Sequence, residues 1–516
     1  MPWSTDLRLH LLDIFPLDEG TSIVPEDVLL KPKWTLEFTE HPSDGPDYSI
    51  TNGNHHDLTQ LNRTSTEASV ERSTPLTKME IPSKPSKQMR ESYGRLAVTL
   101  EQNKRLTPMS HWQDVRHIVL AGMSTVEYDP GDVLTIYPKN YSEDVDKFLD
   151  MMEWKDIADK SLKFVLTRPM PATHLSPVQP VPIRPECENL TLRGLLTSYL
   201  DITAVPRRSF FSMIAHFTQD QSHKERLLEF TRPEYIDELY DYTTRPRRSI
   251  PEVLQEFASV RIPWQWIANV LPELRGRQFS IASGGQLKRA ASGKSYYDLL
   301  VAIVKYKTVI KKVREGVCTR YLAALSPGAE MIATLQKGSL GIKIAEAGRP
   351  VIMIGPGTGV APMRSLIWER LQWAEELETQ VQRQANGNKT NNNLHAVGES
   401  VLFFGSRNEN SDYFYQHEWA ELESKMPLKV FAAFSRDQKE KIYVQDLIKQ
   451  QSDLVFRLLH DSEGIVYVCG SSGKMPQAVR VALTEVFKQC GHMPQRTAEE
   501  YLQLMEKEGR YKQETW

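Results

Sequence analysis

The chain has 516 residues, 40% of them hydrophobic and 25% charged, with 63 basic against 66 acidic residues and a formal net charge of -3. That length is more than one hydrophobic core usually serves, so two or three domains are expected, and the balanced charge gives no reason to expect nucleic acid or an acidic membrane surface as the main partner. Cys187, Cys318, Cys469 and Cys490 lie far apart, with no CxxC or metal-ligand spacing, which argues against a disulfide framework or a structural zinc site and points to a reducing compartment.

At the N-terminus, Asp6, Arg8, His10 and Asp13 interrupt the apolar run that a signal peptide needs. No other window is apolar enough to span a bilayer, so a soluble cytoplasmic protein is expected. A short helix ending near Phe15, a Pro-containing connector and an extended stretch at Trp34–Phe38 make up residues 1–40, too little for a domain. Residues 41–90 are rich in Ser, Thr, Pro, Asn, Asp and Gly and read as a linker, because they cannot bury enough surface to offset the entropy of ordering.

From 91 to 345 the segments RLAVTLEQNKRLT, HIVLAGMSTVEYDPGDVLTIYP and VAIVKYKT alternate apolar and polar residues between turn signals, as half-buried antiparallel strands do. A small β-barrel or sandwich is expected there. It is interrupted at about 141–260 by helical spacing in LRGLLTSYLDI, RSFFSMIAHF and KERLLEF. From 346 to 516 the short apolar runs VIMIG, VLFFGS, VFAAFS and IVYVCG alternate with helical stretches, the pattern of a doubly wound parallel sheet. The polar tract from Gln380 to about Glu399 reads as an exposed excursion within it.

Four segments carry the chemistry. In the run from Val351 to Pro362 a buried strand enters the turn Gly357-Thr358-Gly359 and then a helix, a geometry that brings backbone N–H groups close to a pyrophosphate, although a tight turn without ligand has the same sequence. Ser435 and Arg436 follow the strand VFAAFS, with Lys441, Tyr443 and Gln445 just beyond. Fixed cations beside hydroxyls suit the 2′-phosphate of NADPH, while the plain alternative is a solvated turn. In Arg277-Gln278-Phe279-Ser280 strand alternation sets Arg277 and Phe279 on one face, a cation for a pyrophosphate and an aromatic for a flavin, and turns Ser280 the other way; an ordinary half-buried strand would look the same. Gly316-Val317-Cys318-Thr319 leads into a short helix whose N-terminus suits a second phosphate, or into a simple helix cap.

In the order RxFS, GVCT, GPGTG, SRDQ, KxYVQ, YVCG and a terminal Trp, residues 95–516 resemble the ferredoxin-reductase-like half of the diflavin reductases, the family that includes cytochrome P450 reductase. Phe279 in RQFSIAS, the segment HWQDVRHI and the ending Arg510 to Trp516 are similar to the NADPH-dependent diflavin oxidoreductases of cytosolic iron-sulfur assembly. The resemblance implies an antiparallel FAD-binding barrel with a helical insertion, followed by an NADPH-binding parallel sheet. It implies that Arg277, Phe279, Ser280, Gly316, Val317, Cys318 and Thr319 hold FAD, and that Gly357, Thr358, Gly359, Ser435, Arg436, Lys441, Tyr443 and Gln445 hold NADPH. Ser280, Cys469, Glu514 and Trp516 would then stand at the hydride-transfer site, Glu514 where relatives have Asp and Trp516 over the flavin; the alternatives are an inert buried thiol and a frayed terminus. LRLHLLDIFPLDEG resembles the exit from a flavodoxin-like domain, so FMN is implied only where such a domain is supplied. The implied partners are that domain or an iron-sulfur protein of the anamorsin type, with no nucleic acid, membrane or metal. A P450-reductase or sulfite-reductase-type flavoprotein, or a non-catalytic scaffold, is the alternative.

Overall fold

The computed structural model describes residues 2–16, 28–39, 95–122, 125–167, 190–289, 293–384 and 397–516. The expected linker at 41–90 and Cys187 lie outside the described residues. Two compact units are present, one holding the helical insertion and the other the barrel together with the parallel sheet.

In the first unit the strand Trp34–Phe38 pairs antiparallel with Leu162–Leu166. Helices Leu192–Ser198, Arg208–Ile214 and Gln221–Glu229 fall on the three expected periodic stretches, and helical structure continues to Val270, beyond the expected end near 260. Helices this short are held by packing more than by propensity, and Leu195, Phe211, Leu227, Val253 and Ile267 are buried in one core. Glu252 caps its helix through Ser249 and accepts from Lys312 at 2.7 Å and Arg314 at 2.6 Å. Burial pushes its carboxyl up, but the Arg314 and Lys312 hydrogen bonds outweigh that and bring it down to about 2. The segment leading into Gly316 is thereby tied to the insertion.

In the second unit, β1 (Arg95–Arg105), β2 (Val115–Gly122), β3 (Val133–Ile136), β4 (Arg277–Ser280), β5 (Tyr296–Ala302) and β6 (Glu330–Gln336) form a six-stranded antiparallel sheet in the order β4-β3-β6-β1-β2-β5. A bridge between Ile281 and Leu299 brings the two end strands together and nearly closes the barrel, which removes most of the exposed edge. The expected alternation places Val98, Leu100, Ile118 and Leu120 inside.

The strands β7 (Val351–Pro356), β8 (Ser400–Ser406), β9 (Leu428–Phe434), β10 (Ile465–Gly470) and β11 (Tyr511–Thr515) form a five-stranded parallel sheet in the order β9-β8-β7-β10-β11. Because both faces are covered, β7 and β10 read as continuous apolar runs: Ile352 and Ile354 enter one core and Met353 the other. The chain winds outward from β7 to β9 and returns to β10 on the other side of β7, so the switch point lies beyond the carboxyl ends of β7 and β10. The excursion expected at Gln380–Glu399 is shorter than its composition suggested. The helix Val360–Gln384 runs into it, and Val397 is buried at its far end; residues 385–396 lie outside the described residues.

The seam between barrel and sheet is made by backbone approach and a buried charge cluster. A Cβ on Gly284 would lie 1.9 Å from the Ser365 carbonyl oxygen, and one on Gly285, at φ +52°, 2.2 Å from that of Trp368. Ser365 donates to the Ser283 carbonyl at 2.7 Å, and Glu369 accepts from the Gly285 N–H at 2.8 Å. Arg364, 4% exposed, donates to Asp298 at 2.8 Å, the Ala282 carbonyl at 3.0 Å and Glu418 at 2.7 Å. His117 lies 3.4 Å from Asp298 on another side. Burial pushes the Asp298 carboxyl up, but the His117 hydrogen bond and the Arg364 charge outweigh it, so Asp298 titrates below the usual carboxylate range.

Arg364→Ala should lower stability by about 3–5 kcal/mol, because Asp298 and Glu418 are left without their cation; urea denaturation measures it. The depressed pKa of Asp298 stabilises the fold above the unfolded carboxylate pKa of about 4, and this contribution is lost as pH falls through the folded pKa. Asp298→Asn should therefore flatten the acid limb of the stability curve in denaturation series run from neutral pH to about pH 3.

Candidate active site

The glycine-rich turn stands at the switch point. Gly357 takes φ +58°, a left-handed conformation that favours glycine, and a short helical turn, Gly357–Gly359, leads into the helix from Val360. A Cβ on Gly359 would lie 2.2 Å from the Cys469 carbonyl oxygen, so the turn packs its backbone directly against the end of β10. Pro362 falls in the first turn of the helix, where its missing N–H costs nothing. The start of a helix beside a glycine turn whose Gly359 packs against the Cys469 carbonyl fits a pyrophosphate.

Across the sheet, the ends of β8 and β9 carry a basic edge. The Ser435 N–H and hydroxyl both donate to the Ser406 carbonyl, at 3.0 and 3.2 Å, and the Arg436 N–H donates to the Arg407 carbonyl at 2.8 Å. Arg436 and Lys441 are exposed, and Tyr443 stands at the start of the helix Val444–Gln450, with Gln445 half-buried in its first turn. Arg407 was not among the residues picked out from sequence. Its guanidinium is lowered from the ordinary range by burial and then by the charge of Arg436, with Asp412 opposing. Among the described residues neither Arg407 nor Arg436 forms an ion pair with a carboxylate. Neighbouring guanidinium groups repel each other, and a phosphate dianion between them relieves that repulsion. The signal was present in the sequence: FGSR ends β8 as AFSR ends β9.

At the other side of β7, the barrel meets the edge strand β11. The Ser280 hydroxyl donates to Glu514 Oε1 at 3.3 Å, and Glu514 Oε2 accepts from the Ser339 hydroxyl at 2.8 Å and N–H at 3.2 Å. Cys469 lies opposite Glu514 in the β10–β11 register. Ser280, Glu514 and Cys469 are thus brought together, with Ser339 as an anchor that the motifs did not reveal. Its loop is itself held, because Lys337 bridges Asp129 and Asp132 and the Gly338 N–H donates to Asp132. Burial pushes the Cys469 thiol well up, the Glu514 carboxylate adds to the shift, and a Glu514 backbone hydrogen bond opposes it. The thiol therefore stays protonated and uncharged, not a nucleophilic thiolate. Trp516 is 52% exposed, yet its backbone is held: its N–H donates to the Gly470 carbonyl and its own carbonyl accepts from Ser472.

On β4, Arg277 is exposed opposite Ile136 and Phe279 half-buried opposite Leu134, while Ser280 is on the face that meets Glu514. Cys318, raised to about 12 by burial, feels the opposing charge of Arg277. Helix Val317–Ala324 begins directly after Gly316, and Thr319 is its third residue, not its cap. The Thr319 hydroxyl accepts the Val304 N–H at 3.0 Å and so fixes the turn to the end of β5.

The family model described as FAD binding domain matches residues 89–321, and the one described as oxidoreductase NAD-binding domain matches 353–480. The chain is 48% identical over 522 residues to the NADPH-dependent diflavin oxidoreductase 1 of Aspergillus fumigatus and 47% identical over 528 residues to that of Emericella nidulans; in each case all of this chain and 76% of the relative are covered. A protein of the same name from Xenopus laevis is 35% identical over 521 residues, again covering all of this chain and 76% of the relative.

The two glycines of the turn should respond differently to alanine. Gly357→Ala has open space around the new methyl and should cost about 1–2 kcal/mol for the left-handed backbone. Gly359→Ala should cost more than that, because the Cys469 carbonyl must move, and thermal denaturation of the two variants ranks them.

Proposed function

The chain belongs to the family of NADPH-dependent diflavin oxidoreductases, and from that premise we propose how its residues divide the work. Arg277, Phe279 and Ser280 on β4 and Gly316–Thr319 at the start of the following helix hold FAD. Gly357–Gly359, Ser435, Arg436, Lys441, Tyr443 and Gln445, joined by Arg407, hold NADPH. Bound FAD supplies the conversion of a two-electron hydride into single electrons. The protein supplies positioning, which brings the nicotinamide and flavin into reacting contact.

The observation that carries this reading is the tie between Ser280 on the barrel and Glu514 on the edge strand of the nucleotide-binding sheet, with Cys469 beside it in register. Ser280 presents a hydroxyl whose direction is set by Glu514, and Glu514 is in turn set by Ser339. Cys469 contributes a neutral, polarisable wall. Glu in place of the Asp usual in relatives is accommodated, since its longer arm still reaches both serines. Trp516, fixed through its backbone, shields the flavin and yields to the nicotinamide. Electrons then pass to FMN on a flavodoxin-like domain and onward to an iron-sulfur acceptor of cytosolic cluster assembly, a reading supported by RQFSIAS, HWQDVRHI and the C-terminal run. Among the described residues no helix is long and apolar enough to cross a membrane.

Purified protein should be yellow and reduce ferricyanide with NADPH; a preparation that binds no added FAD would overturn the assignment. Arg436→Ala and Lys441→Ala should each raise the KM for NADPH by about 10-fold or more while moving that for NADH far less, as loss of a charge-assisted phosphate contact requires. Equal losses would contradict the 2′-phosphate site. Ser280→Ala and Glu514→Ala should each slow flavin bleaching by NADPH about 10-fold or more, and the double variant should be scarcely slower than the worse single one, because the two groups act as one unit. Stopped-flow absorbance reads all three rates.

A further inference from the structure

We propose that Trp112, on the β1–β2 loop of the barrel, is a positioning residue for NADPH: it holds the Arg407 guanidinium at the 2′-phosphate edge, so that preference for NADPH over NADH depends on the barrel as well as on the sheet. The inference rests on the reading of that edge given above and adds a component from outside the nucleotide-binding sheet.

Trp112 is 58% exposed, an unusual place for so large an apolar side chain. One face of its ring is covered by Arg407, whose guanidinium carbon stands 3.8 Å from the ring centroid, well inside cation–π range. Arg407 needs such support. It is partly buried and adjacent to Arg436, whose like charge disfavours its own. A carboxylate could hold it, but would also neutralise the charge that a phosphate requires. An indole holds the flat face of the guanidinium and leaves the in-plane N–H fork directed at its edges, the direction from which phosphate oxygens are bound.

The surroundings are built to keep this stack in place. A bulge in β1 between Leu100 and Gln102 bends the hairpin that carries the loop. Within the loop, Arg105 donates to the carbonyls of Thr107 at 2.9 Å, Pro108 at 3.0 Å and His111 at 3.3 Å, and the Thr107 hydroxyl donates to the Gln113 carbonyl at 2.8 Å. His111, next to Trp112, lies 3.7 Å from Asp412, and Asp412 accepts the N–H groups of Arg407 at 3.1 Å and Asn408 at 2.8 Å. Asp437, next to Arg436, accepts from Asn408 and the Glu409 N–H, both at 2.7 Å. The barrel loop, the end of β8 and the end of β9 are therefore linked residue by residue around the two arginines.

The test uses the full chain with FAD bound and ferricyanide as acceptor, and compares Trp112→Leu, Trp112→Phe, Arg407→Ala and the double variant Trp112→Leu/Arg407→Ala. Trp112→Leu keeps apolar bulk but has no π face. It should lower the NADPH-to-NADH ratio of kcat/KM about five- to tenfold, with the loss borne by KM, and weaken inhibition by 2′-AMP to a similar extent. Trp112→Phe should recover most of the preference, and the double variant should match Arg407→Ala alone, since the ring acts through the arginine. Equal losses with both nucleotides, an unchanged 2′-AMP inhibition constant, or a Trp112 effect that adds in full to that of Arg407→Ala would each overturn the proposal. Arg436→Ala run in parallel separates the two levels. If it leaves the preference intact, the 2′-phosphate edge itself is misassigned; if it abolishes the preference while Trp112→Leu does not, only the role of Trp112 falls.

Discussion

Arg364 is the residue on which the seam between barrel and sheet depends. It rises from the first turns of the helix that follows the glycine-rich turn and is buried against Asp298 and the Ala282 carbonyl of the barrel, a few residues beyond the strand that carries Arg277 and Ser280. The segment expected to hold flavin and the segment expected to hold nucleotide are thus each only a few residues from the same buried cluster. A buried ion pair is weak evidence for stability, since desolvation consumes much of its Coulomb energy. Its stronger effect here is on geometry. With Glu418 and His117 also converging, few other arrangements satisfy all the charges, and Gly284 and Gly285 allow the barrel backbone to approach the helix more closely than any Cβ would permit.

A fixed seam has a direct consequence for hydride transfer, which tolerates little error in the distance between donor and acceptor atoms. Ser280 belongs to the barrel and Glu514 to the sheet, so the hydrogen bond between them exists only if the seam holds. Ser339 and the Lys337–Asp132 contact brace Glu514 from a third loop. The electrostatics follow from the same enclosure. Cys469 is buried beside the Glu514 carboxyl, and its thiol is pushed up and stays neutral.

The opposite edge of the sheet is organised by repulsion. Arg407 and Arg436 are brought together by the backbone contact between the ends of β8 and β9, and among the described residues neither forms an ion pair with a carboxylate, although the Asp412 charge acts on Arg407. Such a pair favours an anion, and the aromatic contact from Trp112 restrains one member without cancelling its charge. Barrel and sheet therefore meet at two places, at Ser280–Glu514 and at Trp112–Arg407.

The amino-acid sequence by itself determined the order and type of the elements, because alternation in Arg95–Arg105, continuous apolar runs in Val351–Pro356 and Ile465–Gly470, and glycines at Gly357 and Gly359 are properties of neighbouring residues. It also carried the flavin and nucleotide motifs, each of which fits within a few consecutive positions. Only the tertiary structure decided what those motifs meet. Ser339 and Glu514 are far apart in the chain, as are Asp298 and Arg364 or Trp112 and Arg407, and no local period links them. Such pairs arise from docking two separately patterned sheets, where side-chain reach, burial and charge select the contacts, and these depend on distances that sequence spacing does not encode.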